Sequence, residues 1–240
     1  MRFMIMHKTN EHWESGGVPT ADLVARVGAM IGELRTAGAF QAGEGLRPSS
    51  EGVRVRFSGA MREVVHGPFA GGEELPAGFT IVRVPSLDHA IEWAAREAAV
   101  RGDGEVDIRP VTEPWDIGVA PRPSEVTTRR FMILRKATAA SEAGLVPSSA
   151  QRAQLSQLVE HATRSGEHVA TESMRPSRRG RRYKNSRDGV SAFDGPFVES
   201  KELLGGYVVV SADSLEDADR WARRYIEAVG ADEVDVRELD

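Results

Sequence analysis

The chain has 240 residues, with 31 Lys and Arg against 36 Asp and Glu, a formal net charge of −5 and no cysteine. This excludes disulfides, thiolate nucleophiles and Cys-based zinc sites, and it gives no general pull toward nucleic acid or anionic lipid. No apolar run approaches the ~20 residues of a membrane helix, and MRFMIMHK is too short for a signal-peptide core, so a cytoplasmic protein with no membrane contact is expected.

Arg2 to Lys8 reads as a strand, apolar with little alternation, which is the pattern of a central strand. Pro19-Thr20 opens a helix with Thr20 able to cap it, and Leu23, Val27, Met30, Ile31 and Leu34 recur at helical spacing until Gly38. A strand carrying Glu44 and Arg47 follows, then a hairpin around Gly52 to Gly59 and a Gly67-Pro68-Phe69 turn. Next come a strand at Phe79 to Val84, a helix from about Leu87 to Ala99 and a short strand from Glu105 to Val111. Trp93 lies beside the apolar face of that second helix and is assigned to the core.

The order then begins again. Arg2-Phe3-Met4-Ile5 reappears as Arg130-Phe131-Met132-Ile133, Trp93-Ala94 as Trp221-Ala222 and Glu105-Val106-Asp107 as Glu233-Val234-Asp235, all at one constant offset. Roughly a third of the aligned positions are identical. The second copy repeats each element: Pro147-Ser148 opens its first helix, Gly166 stops it, and Tyr207 to Ala212 is its counterpart of Phe79 to Val84. Two domains are therefore expected, 1–112 and 129–240, joined by a Pro- and Thr-rich linker, 113–128.

Each copy has the order β-α-β-(hairpin)-β-α-β, a ferredoxin-like α+β plan with both helices on one face of an antiparallel sheet. On the last strand Val106 and Ile108 point one way while Glu105, Asp107 and Arg109 point the other. That charged face meets either solvent or a second sheet across a polar cavity. Its repetition as Glu233, Asp235 and Arg237 fits a shared role and fits solubility equally.

The second copy resembles the YCII-related family, in particular its DGPF branch. The residues that carry the resemblance are Asp194-Gly195-Pro196-Phe197, then Glu199 to Tyr207 (ESKELLGGY), the helix start Ser214 to Ala218 with Trp221, and the closing Glu233 to Arg237. The first copy matches more loosely, with His66-Gly67-Pro68-Phe69 in place of the acidic turn. The resemblance implies ferredoxin-like domains that pair into a dimeric α/β barrel, here fused into one chain as an intramolecular pseudo-dimer. It implies no settled activity. A chlorinated-hydroquinone dehydrochlorinase belongs to the family, a His–Asp pair is a candidate acid–base site in some members, and many DGPF proteins are encoded beside extracytoplasmic-function sigma factors.

Several residues are candidates for chemistry. Asp194 either accepts backbone hydrogen bonds in its turn or acts as a base, and His66 holds its place in the first copy. A facing pair of the two would suit proton transfer if the turns converge. Lys201 and Glu199 exist only in the second copy, as remnants of a site or as surface charges. Glu44/Glu172 and Arg47/Arg175 recur in both copies, either as cross-strand ion pairs or, with Arg109/Arg237, as a wall that binds carboxylate or phosphate. Arg175 to Lys184 (RPSRRGRRYK) is densely basic, and is read as a solvated hairpin or as a contact for nucleic acid or an acidic partner. The histidines His7, His12, His89, His161 and His168 have no metal-site spacing, and no phosphate loop occurs, so neither metal nor cofactor is expected.

Two functional readings follow. In the first, the protein binds a small anionic or aromatic molecule and carries out cofactor-free acid–base chemistry, with Asp194 and His66 as catalytic groups and Arg237, Arg175, Lys201, Glu172 and Arg109 as substrate ligands. In the second, it is a non-catalytic accessory protein that binds a protein partner, linked to a sigma factor.

Overall fold

The computed structural model describes residues 1–59, 61–69, 75–102, 104–197 and 203–240. The first copy forms β1 (Arg2–Lys8), α1 (Glu11–Glu14), α2 (Ala21–Thr36), β2 (Phe40–Gly45), β3 (Val53–Ser58), β4 (Met61–His66), β5 (Pro76–Val84), α3 (Leu87–Arg101) and β6 (Gly104–Pro110). The second forms β7 (Arg129–Lys136), α4 (Ala139–Glu142), α5 (Ser149–Arg164), β8 (His168–Ser173), β9 (Arg181–Ser186), β10 (Gly189–Asp194), β11 (Leu204–Ser211), α6 (Leu215–Val229) and β12 (Glu233–Glu238). The long helices start where the sequence signals them. Thr20, Ser86, Ser148 and Ser214 each accept a hydrogen bond from a backbone N–H of the first turn. The four-residue helices α1 and α4 carry no apolar stripe, and sequence periodicity passes over them.

The strands form two antiparallel six-stranded sheets, and each sheet draws on both copies. One has the order β10-β9-β12-β1-β11-β2, the other β4-β3-β6-β7-β5-β8. β1, from the first copy, lies between β12 and β11 of the second, with Ile5 opposite both Val236 and Val208. β7 lies in the same way between β6 and β5 of the first copy, with Ile133 opposite Ile108 and Thr80. The central position read from the apolar run of β1 is thus observed, but its neighbours come from the other copy.

Accordingly the chain divides into two compact units that are not its two sequence copies. The first unit takes Met1–Gly45 from the first copy and the described residues of Met174–Asp240 from the second. The second unit takes Leu46–Phe69 and the described residues of 74–173. The chain changes unit directly after β2 and directly after β8.

Each unit is a ferredoxin-like sheet covered on one face by two helices. In the first unit, Met30 and Leu34 of α2 and Ala218, Trp221, Ala222, Tyr225 and Ile226 of α6 pack on Phe3, Ile5, Val208, Val210, Val234 and Val236. In the second, α3 and Ala162 of α5 pack on Val82, Val84, Val106, Ile108, Phe131 and Ile133. Trp93 and Trp221 belong to these cores. Among the described residues no helix is long and apolar enough to cross a membrane.

Candidate functional site

The helix-free face of each sheet is buried as well, and it holds charge. Residues opposite one another in antiparallel strands share a face. In the first unit this places Glu44, Tyr207, Met6, Asp235 and Arg182 in one row across five strands. The equivalent row of the second unit is Glu172, Phe79, Leu134, Asp107 and Arg54.

Asp235 is the centre of the first row. It is 1% exposed, and its two oxygens are divided between two cations. Lys8 Nζ lies 2.9 Å from Oδ2, while Arg182 donates from Nε to Oδ1 at 2.6 Å and from Nη2 to Oδ2 at 3.0 Å. Glu233 adds a second carboxylate 3.2 Å from Arg182 Nε. Burial pushes the Asp235 carboxyl up, but the Lys8 ammonium and the Arg182 guanidinium outweigh it and hold the group below the usual carboxylate range.

The second unit builds the same cluster. Asp107 takes Lys136 Nζ at 2.7 Å, Arg54 Nε at 2.7 Å and Arg54 Nη2 at 3.1 Å, with Glu105 3.3 Å from that Nε. Burial and its two cations act on Asp107 in the same opposed directions, and the net displacement is again downward. A buried ion pair returns its desolvation cost only when the geometry is good and the remaining groups are bonded, and both clusters meet that condition.

The Gly-Pro-Phe turns support these clusters from outside. The Phe197 ring lies under the Arg182 guanidinium and Phe69 under Arg54, each at 4.7 Å. Each turn is tied down twice. Phe197 N–H donates to Ser177 Oγ and Gly195 N–H to the Gly180 carbonyl, and Phe69 with Ser49 and Gly67 with Gly52 repeat this. Both Gly-Pro bonds are cis. A Cβ on Gly195 would lie 1.9 Å from the Ser177 carbonyl oxygen, and one on Gly67 1.8 Å from that of Ser49, so only glycine fits. The turn motif therefore places an aromatic ring on the arginine that holds the buried aspartate.

The residues singled out in the sequence are distributed as follows. Asp194 ends β10, is exposed, and accepts from Arg181 Nε at 2.6 Å. His66 ends β4 and is also exposed. The two belong to different units, so neither unit contains the pair.

Arg109 and Arg237 are buried, and their guanidinium groups bond backbone. Arg109 donates from Nε and Nη2 to the Arg47 carbonyl at 2.9 and 2.5 Å, and Arg237 donates from Nη2 to the Arg175 carbonyl at 2.5 Å. Arg47 and Arg175 lie where the chain has just changed unit, and their own N–H groups donate to Pro110 and Glu238. This arginine pair therefore pins the crossings. The Arg175 side chain meets Asp240 at 2.7 Å and that of Arg47 meets Glu51. Glu172 is half-buried at the β8 end of the second row. Lys201 and Glu199 lie outside the described residues.

Most cations of the basic stretch meet carboxylates of their own unit. Arg179 meets Glu238 at 2.7 Å, Arg181 meets Asp194, Arg182 meets Asp235, and Lys184 lies 3.6 Å from Glu233.

Lys8, Lys136 and Arg54 are not among the sequence candidates, and Arg182 is one only as part of the basic stretch, although Lys8/Lys136 and Arg54/Arg182 are charged pairs identical between the copies, which is the signal the sequence offers. His7 was set aside as one of several scattered histidines. Its Nδ1 lies 2.7 Å from the Tyr225 hydroxyl on the helix face, and burial, reinforced by the adjacent Lys8 ammonium, lowers it to about 4. Gly205 and Gly206 make room for the ring, since a Cβ on either would come within 2.8 Å of it. Among the described residues no group of three or more His, Asp or Glu side chains is placed to hold a metal ion.

A family model, the YCII-related domain, matches the chain twice, over residues 1–115 and 130–240. No curated protein and no solved structure matches.

Proposed function

The chain belongs to the YCII-related domain family, of which it carries two copies, and from that premise we propose that it binds a small anionic or aromatic molecule on the helix-free face of its first unit and catalyses proton transfer there without a cofactor. The observation that carries this reading is the Lys8–Asp235–Arg182 cluster, in which an ammonium and a carboxylate are both withdrawn from water. Buried charge of this kind is concentrated at functional sites, because low surrounding polarity strengthens each electrostatic contact.

Each group has a role in that proposal. Lys8 attracts the ligand's negative charge and supplies a proton. Asp235, kept ionised by its cations, orients the Lys8 amine at 2.9 Å. Met6, next to Asp235 in the row, offers a polarisable floor for a ring. Tyr207 lies on the other side of Met6, and its hydroxyl distinguishes this row from the second unit, where Phe79 stands in its place. The basic run of β9 lends no separate support to partner binding, because its cations face carboxylates of the same unit.

Thermal stabilisation tests the proposal. Wild type, Lys8→Met and Tyr207→Phe are melted with benzoate, 4-hydroxybenzoate, citrate and inorganic phosphate. At least one compound is expected to raise the wild-type Tm and to act less on both variants. Equal shifts in Lys8→Met and wild type, or none in a protein that melts cooperatively, contradict the proposal.

A further inference from the structure

The helix faces of the two units differ at equivalent positions, and the differences fall on the seam where one copy meets the other. In the second unit Arg135, from the second copy, is buried against Glu97, from the first. Its Nη1 lies 3.0 Å from Glu97 Oε1 and 3.2 Å from Thr80 Oγ1, and its Nη2 donates to the Glu172 carbonyl. Thr171, again from the second copy, donates to Thr80 at 3.3 Å and lies 2.9 Å from His168 Nε2. In the first unit the corresponding residues are His7 for Arg135, Tyr225 for Glu97, Val208 for Thr80, Gly43 for Thr171 and Phe40 for His168. There the imidazole–phenol hydrogen bond replaces the ion pair, and Phe40 packs on the apolar cluster.

We infer that these two matched sets form a pairing code that makes the first copy and the second copy each other's partner and rejects a second copy of either. The argument follows from substituting one copy for the other. Were two second copies to pair, Arg135 would be enclosed by Tyr225 and Val208 with no carboxylate to receive it. Were two first copies to pair, Glu97 would keep Thr80 and Arg101, which belong to its own copy, but would exchange the Arg135 guanidinium for His7, and the Thr80 hydroxyl would lose its donor Thr171 to Gly43. The mixed pairing gives the buried Arg135 guanidinium its carboxylate and the Tyr225 hydroxyl its imidazole, and a pair of second copies forfeits both, which is discrimination by penalising the wrong partner.

The central strands do not discriminate in this way. β1 and β7 share Arg-Phe-Met-Ile, and both meet apolar valine-rich strands. The strand registers of the two sheets correspond position for position, so backbone pairing tolerates either copy. This inference is independent of the proposed ligand site, since the code lies on the helix faces and Lys8, Asp235 and Tyr207 on the opposite one.

The test uses the whole chain with a protease site placed in the linker, 113–128. After cleavage the protein is unfolded, refolded and weighed by native mass spectrometry. Wild type is expected to return mixed pairs, with pairs of two second copies under about a tenth of their share in a random 1:2:1 assortment. The variant Glu97→Tyr with Arg135→His, which gives the second unit the imidazole–phenol pair, is expected to return second-copy pairs several-fold above wild type. Random assortment in wild type, or undiminished selectivity in the variant, overturns the inference. Where refolding yields are low, the two copies co-expressed as separately tagged chains are purified through one tag, and the partner recovered gives the same two answers.

Discussion

Asp235 and Asp194 are carboxylates of one unit in opposite circumstances. Asp235 is enclosed by Lys8 and Arg182, so Asp235→Asn leaves two cations buried against a neutral amide, and a loss of about 3–5 kcal/mol in denaturant unfolding is expected. Asp194 is exposed, and Asp194→Ala removes a solvated pair with Arg181 that is worth within about 1 kcal/mol. If Asp194→Ala is the more damaging of the two, the cluster does not have the importance assigned to it. His7 gives a pH signature. Its folded-state value of about 4 lies below the ordinary 6.5, so between those limits the unfolded chain binds a proton that the folded chain refuses. Stability from this group is complete above pH 6.5 and declines as pH falls toward 4, by about 2 kcal/mol at pH 5. His7→Gln should lose correspondingly less between pH 7.5 and 5, and identical slopes for the two proteins contradict this. Asp235 and Asp107 have lowered values, so their contribution persists above ordinary carboxylate values and disappears only under stronger acid. At this scale the sequence displayed the right residue types without their partners. Asp107, Arg109 and their duplicates stood out as one charged strand face, yet nothing along the chain indicates that Asp107 meets Lys136 while Arg109 meets a backbone carbonyl.

Turns and crossings are where the elements acquire their purpose. The Gly-Pro-Phe turn is legible as a turn from its composition, but its role depends on Ser177 and Arg182, which lie earlier in the chain and reach it only through the β9–β10 pairing. Gly195→Ala must displace the segment at Ser177, and a loss of about 1–3 kcal/mol is expected by thermal unfolding, together with a weaker hold of Phe197 on Arg182. A neutral outcome would show that the turn has slack the distances do not suggest. The helix limits were legible because caps act locally: Thr20 closes the start of α2, and Gly38, with φ of 67°, follows its end. Strand β4 was read only as part of a hairpin, since MREVVH is mostly exposed and lacks the alternation of a half-buried strand.

At the scale of the whole molecule, the repeat and the ferredoxin-like plan were both legible, because a constant offset and the spacing of apolar residues survive in one dimension. The exchange of halves was not. Two copies that share a third of their residues offer β1 equivalent neighbours in its own copy and in the other, and the apolar pattern is satisfied by either. The exchange has a functional consequence in this account: the candidate site is composite, with Lys8 from the first copy and Asp235, Arg182 and Tyr207 from the second. The most direct test is a pair of engineered disulfides, which the absence of native cysteine makes unambiguous. Arg2 lies opposite Ser211, and the counterpart of Ser211 in the first copy is Arg83. Directly opposed residues of antiparallel strands are close enough in Cα separation for a disulfide. On mild oxidation, Arg2→Cys with Ser211→Cys should cross-link within one chain, and Arg2→Cys with Arg83→Cys should not. Cross-linking of the second pair in place of the first would show that each copy folds on itself, and would contradict the exchanged units and the composite site together.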